Sequence, residues 1–457
     1  MRKKKTLKVW LLLLAVVLAF SLAACGTGST ADNTTGSTSA GASTGTPAVS
    51  ETTESEGLSG DIRFLTMAEY HDANVKVVEA FQNAYPNVKV EMEEFPFTQL
   101  FDVIEIKLGS QSSNFDVILT DATMVSGYAY RGFIMPLDDY FTQEEKSEFI
   151  PALIDSSTYR ENFYSPPIKN SCHVLFYNKK LLKQAGLDFP SSDPAKRLTW
   201  EELVPMAKKA MEAAKDTTVY GLTFEQISRA YQLLPLVNSF GGKGIGDDGI
   251  TAEGYVNGYA FTKAMQWYSD THNVYNVAPK GVSASETVGL FASGKITFLC
   301  ANIFDYKTFK STEGLEYGYA PFPYFAGGVA VTPTDSFHIS VSSNSKNKDA
   351  AAAFVKYFSL GEGNDIFCES RGEFSARISR LNVYNEDSQY NEEPLSIFKL
   401  ANYEAQNTAF PRPKSLGYRE WESVINNTME DIRNGAAAKD ALDKAVASIN
   451  AKMLPYK

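Results

Sequence analysis

The sequence predicts an α/β protein with two lobes, built on parallel, doubly wound sheets. The 457-residue chain is 44% hydrophobic, and its folded part exceeds what a single core usually supports. Residues 62–66, 75–85 and 88–92 show the apolar spacing of a strand, a helix and a second strand, which is typical of a parallel β-α-β unit. Residues 115–119 form a continuous apolar run, as expected for a strand with both faces covered.

Most of the other secondary-structure elements that the sequence predicts are helices. A further helix is expected around residues 100–108, before the strand at 115–119. Thr199-Trp200-Glu201-Glu202 fits a capping box that opens a helix running to about residue 214. In the C-terminal third, one helical stripe consists of Trp421, Val424, Ile425, Met429 and Ile432. Gly435 ends that helix, and a last helix is expected over residues 442–449.

The N-terminus predicts export. Residues 1–24 begin with basic residues, continue with a short apolar run and end with small residues, which is the order of a secretion signal peptide. Leu22-Ala23-Ala24-Cys25 also resembles the lipobox of bacterial lipoproteins, which predicts that Cys25 carries lipid. The alternative is an ordinary signal peptide with a cysteine near its cleavage site. Residues 25–57 are rich in Ser, Thr, Gly and Ala and predict a flexible tether.

Charge and cysteine content limit the candidate partners and the number of disulfides. The net charge is −11 and no basic run follows the signal peptide, so nucleic acid is a poor candidate partner. The three cysteines beyond the tether are Cys172, Cys300 and Cys368. They are widely spaced and allow at most one disulfide, and three unpaired buried thiols are expected.

The sequence gives no good match to a catalytic or cofactor motif. The segment 244–249 matches GxGxxG, but it contains two aspartates and follows no predicted strand, so we expect a surface turn. There is no Walker loop, HExxH or GxSxG pattern, and we expect neither a cofactor nor a metal site. A glycosidase with two paired carboxylates stays open as an alternative, because such acids need not be close in sequence.

Several segments occur in the same order as in a known family. They are residues 115–119, 132–140, 175–186, 198–203, 294–298, 320–323 and 345–354. Together they resemble the carbohydrate-binding extracellular solute-binding proteins of bacterial ABC transporters, the family that includes maltose-binding protein. The pair 175–186 and 198–203, with its Tyr-Asn-Lys-Lys-Leu-Leu and Thr-Trp-Glu-Glu-Leu sequences, is the most specific of these matches.

The resemblance implies a two-lobed, type II periplasmic-binding-protein-like fold with three hinge crossings and a ligand cleft between the lobes. The N-terminal lobe would comprise residues 58–172 and 323–368, and the C-terminal lobe residues 173–322 and 369–457. Closure about the crossings would be a hinge motion. Open α/β sheets bind ligands beyond the carboxyl ends of their strands, so we expect the site there.

The family pattern assigns ligand-binding residues after these strands. In order, they are Glu69, Tyr70, His71, Asp121, Thr123, Ser171, Arg229, Tyr231, Phe304, Asp305, Asp335, Phe337, Arg371 and Tyr418. Asp121 could instead cap a helix, and Ser171 could have a purely hinge role. Phe304 stands where the family usually has a tryptophan that stacks on a sugar. Trp421 occupies another aromatic family position, but its apolar stripe favours the core.

The predicted function is that of a lipid-anchored, extracellular substrate-binding protein that delivers a carbohydrate, an oligosaccharide by expectation, to an ABC importer. It would be a monomer on the outer face of the cell membrane, would dock on the permease transmembrane subunits and would not be an enzyme. The alternatives are a secreted carbohydrate-active enzyme, a binding protein for a non-sugar solute and the ligand sensor of a membrane kinase.

Overall fold

The computed structural model describes residues 57–457. The predicted signal peptide, Cys25 and all but the last residue of the predicted tether lie outside the described residues. The strands are β1 (Gly60–Met67), β2 (Val88–Phe95), β3 (Val117–Asp121), β4 (Thr158–Tyr159), β5 (Asn162–Phe163), β6 (Ser171–Asn178), β7 (Tyr220–Phe224), β8 (Ile296–Asn302), β9 (Tyr317–Ala320), β10 (Thr332–Asp335), β11 (Phe337–Val341) and β12 (Ala409–Phe410).

Helices connect these strands and make up most of the C-terminal third. They are α1 (His71–Ala84), α2 (Phe97–Gly109), α3 (Val125–Tyr130), α4 (Gln143–Ser147), α5 (Pro151–Ser157), α6 (Lys179–Gln184), α7 (Trp200–Ala214), α8 (Ala230–Ser239), α9 (Tyr259–Asn273), α10 (Ala284–Ala292), α11 (Tyr306–Ser311), α12 (Lys348–Ser359), α13 (Glu362–Arg371), α14 (Ile378–Glu386), α15 (Ile397–Asn407), α16 (Tyr418–Arg433) and α17 (Ala438–Lys452). None of the helices in residues 57–457 is both long and apolar enough to cross a membrane.

The first sheet has the strand order β11-β3-β1-β2. β1 is parallel to both β2 and β3, and β11 adds an antiparallel edge. The predicted β-α-β unit at residues 62–92 is confirmed as β1, α1 and β2. Helix α1 buries Val77, Val78 and Phe81 against the sheet because these residues share one helical face.

The second sheet has the order β12-β10-β6-β8-β7, and β9 also pairs with β6. β7 and β8 are parallel, whereas β6 is antiparallel to β8. Every residue of β6 is buried, and its alternate side chains enter two different cores. Cys172, Val174 and Phe176 pack in the core that includes the first sheet, and Leu175 and Tyr177 pack in a second core with α7, α8 and α16.

Two of the sequence predictions for helices are confirmed by side-chain contacts. The Glu202 amide donates to Thr199 Oγ1 at 3.2 Å and the Thr199 amide donates to Glu202 Oε2 at 2.8 Å, which completes the capping box of α7. Trp421 on α16 is fully buried in the second core, and its indole Nε1 donates to the Gly244 carbonyl at 2.9 Å. The core interpretation of Trp421 is therefore confirmed.

Three segments of the described chain connect the two sheets, namely residues 164–170, Ser336 and residues 372–377. They run side by side. Ser336 Oγ donates to the Lys169 carbonyl at 2.6 Å, and the Asn170 amide donates to the Phe374 carbonyl at 2.6 Å. The three hinge crossings that the resemblance implied thus correspond to these three adjacent segments of the chain.

Two expected lobe boundaries are displaced from these crossings. β10 lies beyond the boundary expected at residue 323, yet it pairs with β6 and belongs to the second sheet. The boundary expected at residues 368–369 falls inside α13. The irregular segment 321–331 has no periodicity that would reveal on which sheet it ends. We propose that the second crossing is at Ser336 and that the third follows Arg371.

The cysteines and the glycine-rich segment have structural roles. Cys172, Cys300 and Cys368 are free and buried, as predicted. Residues 244–249 form a turn, but Gly244 packs against Trp421 and is buried, so only the two aspartates of this turn lie on the surface. Burial of the first glycine against an indole explains the residue type, because an added Cβ would lie 2.8 Å from the Trp421 ring.

Candidate functional site

Polar residues gather where the carboxyl ends of the parallel strands meet. In the first sheet, β1 leads into Glu69 and Tyr70, and β3 ends at Asp121. In the second sheet, β7 is followed by Glu225, and β8 is followed by the turn Ile303–Asp305. This is the edge at which open α/β sheets bind their ligands.

Arg412 joins the two lobes at this edge. It lies in the loop between β12 and α16, and its side chain is 8% exposed. Its Nη2 donates to Asp121 Oδ1 at 2.7 Å and also pairs with Asp335. Because Asp121 belongs to the first sheet whereas Asp335 and β12 belong to the second, this one guanidinium bridges both lobes.

The two carboxylates of this bridge differ in their pKa. Burial opposes the charged form of Asp121, but Arg412 and Thr123 together hold its pKa below the ordinary value. Burial raises the pKa of Asp335 to about 6, with Arg412 opposing and the charge of Asp121 adding to the rise. Asp121 therefore keeps its charge to a lower pH than Asp335 does.

Asp121 also caps the turn that follows it. Its Oδ1 accepts from the Thr123 amide at 3.0 Å and from the Thr123 hydroxyl at 2.6 Å. The capping interpretation of Asp121 is confirmed. Capping does not use both carboxylate oxygens, because the interactions with Thr123 and Arg412 all involve Oδ1.

Two buried tyrosines pack against Arg412. The guanidinium carbon of Arg412 lies 5.5 Å from the ring centroid of Tyr231 and 5.3 Å from that of Tyr418. The Tyr231 hydroxyl lies 2.6 Å from Ser171 Oγ, which donates to the Asp335 carbonyl at 3.2 Å. The sequence predicted Ser171, Tyr231 and Tyr418 as separate site residues. All three meet around Arg412, which it did not predict.

Glu422 extends this network toward the solvent. Its carboxylate accepts from the Tyr418 hydroxyl at 3.1 Å and lies 3.8 Å from Nη1 of Arg412. Arg229, whose side chain is 45% exposed, lies 3.8 Å from the same oxygen. The predicted residue Arg229 is therefore at the outer edge of the site.

A second polar group lies at the ends of β7 and β8. Glu225 accepts from the Gln232 side chain and from the Asn302 amide, both at 3.0 Å. Burial lowers the pKa of the neighbouring His173 to about 4, so this histidine is neutral. Asp305 Oδ2 and Gln226 Oε1 are buried and have no hydrogen-bond partner.

Asp305 is a weak acid in this setting. Burial and the nearby Glu225 raise its pKa to about 8. Phe304, the predecessor of Asp305, is half-buried, and Lys307 Nζ lies 5.4 Å from the centroid of its ring. A ligand with hydroxyl groups, which both donate and accept hydrogen bonds, would satisfy the unpartnered oxygens of this group.

The first lobe contributes aromatic rings. Phe97, Phe101 and Phe337, here called the aromatic patch, have ring centroids 5.9 to 6.3 Å apart. Tyr70 packs on Phe337 at 6.0 Å, and the Arg371 guanidinium lies 4.9 Å from the Tyr70 ring centroid. Four rings from three elements, two of them on α2, therefore cluster beside the polar groups.

The predicted site residues do not all converge. His71 is exposed and its Nδ1 lies 2.7 Å from Glu94, away from the networks around Arg412 and Asp305. Sequence reasoning also missed Arg412, Glu225 and Phe97. Glu225 directly follows an apolar strand and could have been found by the strand-end rule, whereas Arg412 follows a strand of only two residues.

A cavity extends the site between the lobes. It has a volume of about 460 Å³, within the range of small-molecule sites. Thr123, Glu105 and Arg131 line it from the first lobe, and Tyr418 and Arg419 from α16. Two predicted site residues, Thr123 and Tyr418, thus line the same cavity.

Comparison with known proteins identifies the family. The family model described as bacterial extracellular solute-binding protein matches residues 68–363. The chain belongs to this family. A solute-binding protein is a carrier rather than an enzyme, in agreement with the prediction from the sequence. The extracellular setting of the family agrees with the predicted export.

Relatives of this solute-binding protein include named sugar-binding proteins. The galactooligosaccharide-binding protein of Bacillus subtilis is 22% identical over 97% of this chain and 96% of its own length. The maltotriose-binding protein of Pyrococcus abyssi is 22% identical over 62% of this chain and 58% of its own length. An ABC substrate-binding protein from Listeria monocytogenes, solved in complex with cycloalternan, superposes with a TM-score of 0.70 at 20% identity, covering 86% of this chain and 98% of that one. The structural match confirms the predicted two-lobed fold.

Proposed function

We propose that this solute-binding protein is an extracellular receptor that binds an oligosaccharide between its two lobes and delivers it to an ABC importer. The observation that carries the proposal is the meeting of hydroxyl acceptors, one guanidinium and an aromatic patch at the carboxyl ends of the strands of both sheets. Each of these groups matches one part of a sugar.

The polar groups suit sugar hydroxyls. Asp121 and Glu225 are carboxylates that accept hydrogen bonds, and a carboxylate can accept from two hydroxyls at once. The buried, unpartnered oxygens of Asp305 and Gln226 need hydrogen-bond partners, and hydroxyl groups can serve both because they donate and accept. Arg412 donates to the ring or glycosidic oxygens of such a ligand when a hydroxyl replaces part of its contact with Asp121.

The aromatic groups suit the other face of a sugar. A pyranose ring presents C–H bonds on its faces, and these pack on aromatic planes. Phe304 of the second lobe and the aromatic patch of the first provide such planes. The predicted ligand-binding roles of Tyr70, Thr123, Ser171, Arg229, Tyr231, Asp335, Phe337, Arg371 and Tyr418 remain proposals, as do those of Glu69 and His71.

The relatives support the carbohydrate class. Two of them are named for oligosaccharides, and the Listeria protein, named as an ABC substrate-binding protein, was solved with a cyclic oligosaccharide. A linear or cyclic oligosaccharide is large enough to contact both lobes at once, which is the requirement for ligand-driven closure. A closed receptor would then dock on the transmembrane subunits of the permease.

Cys25 would hold the receptor at the membrane. A lipid on this residue, followed by the tether, keeps the protein at high local concentration beside its permease. We expect Cys25→Ala to leave sugar binding unchanged but to release the protein into the medium. Uptake at the normal rate by cells whose protein is entirely in the medium would contradict this role of the anchor.

A thermal-shift screen tests the carbohydrate assignment. The panel contains a galactooligosaccharide, maltotriose and cycloalternan together with common monosaccharides, a peptide and a polyamine. A sugar at a hundredfold excess over its dissociation constant adds about 2.7 kcal/mol to the free energy of unfolding. A shift with the peptide or polyamine and none with any sugar would leave the receptor function but overturn the carbohydrate assignment.

A further inference from the structure

One face of α2 runs along the cleft. Phe97, Phe101 and Glu105 are spaced four residues apart and therefore share one side of this helix. Glu105 lines the cavity between the lobes, and Asp102 forms an ion pair of 2.6 Å with Arg419 at the start of α16. The α2 face that carries Phe97 thus reaches, at Glu105, the cavity that residues of both lobes line.

The start of α2 is held by a residue of the site. The Phe97 amide donates to the Glu69 carboxylate, with distances of 3.1 and 3.2 Å to its two oxygens. The Glu69 carbonyl in turn accepts from Arg371 Nη1 at 2.9 Å. Glu69 therefore fixes the position of Phe97 relative to the strand end of β1, and it ties Phe97 to the third crossing.

Phe97 remains uncovered in spite of these restraints. It is 45% exposed, whereas Phe101 and Phe337 behind it are half-buried. An exposed phenylalanine usually needs no explanation. This one packs against two further rings, and its amide is bound by Glu69, the polar residue after the end of β1.

We propose that Phe97 is a sugar-stacking residue, with Phe101 and Phe337 as its support. This inference rests on the proposed function. The first lobe would then supply an aromatic face for one pyranose ring, and Phe304 on the second lobe, which is smaller than a tryptophan, would not have to provide all of the stacking. Phe97 would help to determine affinity and the preferred ring.

Titration calorimetry with a matched control tests the proposal. The variants are Phe97→Ala and Phe189→Ala, since Phe189 is equally exposed at 42% but lies on the loop after α6. Each protein is titrated with a galactooligosaccharide, maltotriose and cycloalternan. We expect Phe97→Ala to weaken binding by about tenfold, the equivalent of 1.4 kcal/mol, and Phe189→Ala to leave it unchanged.

A second variant reports on contact directly. In Phe97→Trp the new indole should change its fluorescence when sugar binds, and affinity should be retained or increased. Equal affinity of wild type and Phe97→Ala for a sugar that binds would overturn this inference alone, as would a loss of affinity in Phe189→Ala of the same size. No binding of any sugar by the wild type would overturn both this inference and the proposed carbohydrate function.

Discussion

Arg412 is the residue on which the candidate site depends most. Its guanidinium is buried, and it interacts with a carboxylate from each lobe and with two tyrosine rings. A buried charge of this kind is stable only while its partners remain, because an unpaired charge in the interior is costly. The residue therefore combines a structural role with a position inside the cleft.

Removal of this side chain should be strongly destabilising. In Arg412→Met, Asp121 and Asp335 lose their shared cation, and we expect a loss of about 3–5 kcal/mol in the free energy of unfolding. Urea denaturation at pH 7 measures it. Arg419→Met is the matched control, because its ion pair with Asp102 is exposed and should contribute about 0–1 kcal/mol. Equal losses in the two variants would contradict the buried bridge.

Asp305 should make stability depend on pH. Its pKa is raised on folding from 3.8 to about 8, so the folded protein binds a proton more readily than the unfolded chain between these values. Stability must therefore decrease as pH rises through this range.

Asp305→Asn removes this dependence. We expect the variant to match the wild type near pH 4 and to exceed its free energy of unfolding by about 1 kcal/mol or more at pH 8. Denaturation curves at both pH values provide the comparison. Asp247→Asn, at a position whose side chain is 83% exposed, serves as the control and should match the wild type at both. A less stable Asp305→Asn at pH 8 would refute the argument.

At the scale of elements, α3 and the loop before α16 approach each other unusually closely. Gly127 on α3 lies under the Leu416 carbonyl, and an added Cβ would be only 2.6 Å from that oxygen. A backbone atom cannot turn away as a side chain can, so the two elements would have to separate. This contact joins the first lobe to the segment that carries Arg412.

Gly127→Ala should accordingly lower stability. We expect a cost of about 1–3 kcal/mol, which is typical of overpacking. Gly109→Ala at the end of α2 is the control: nothing lies within 4 Å of its added Cβ, and the change should be neutral or slightly stabilising. Melting temperatures of the two variants measured in parallel would show the difference, and an unchanged Gly127→Ala would argue against the close approach.

The elements that the sequence predicted well are those with local signals. The β-α-β unit and the capping box of α7 depend on periodicity and on residues three positions apart. The start of α2 was expected at residue 100 and lies at Phe97, because its first amide is bound by Glu69, 28 residues away. Contacts of this length leave no periodic trace in a sequence.

The same limit applies to the candidate site as a whole. Asp121 and Tyr418 were predicted from family positions, but the Arg412 bridge joins residues 291 positions apart. The second crossing was expected at residue 323 and we propose it at Ser336, because the irregular chain before β10 carries no pattern that assigns it to a sheet. Sequence order therefore predicted the two-lobed architecture, but not the side chain that joins Asp121 of one lobe to Asp335 of the other.

At the scale of the whole molecule, the two lobes share a hydrophobic core. Phe64 of the first sheet and Phe176 of the second belong to the same buried cluster. Unfolding one lobe would expose apolar surface on the other, so we expect a single cooperative transition. Differential scanning calorimetry should give a calorimetric enthalpy equal to the van't Hoff enthalpy, and two resolved transitions would contradict the shared core.

A crystal structure of the protein with the best-binding sugar of the panel would test the central claim most directly. The account predicts sugar between the two sheets, with hydroxyls on Asp121 and on the Glu225–Asp305 group and a ring against Phe97. Sugar bound on the outer surface, or within one lobe without contact to the other, would contradict it.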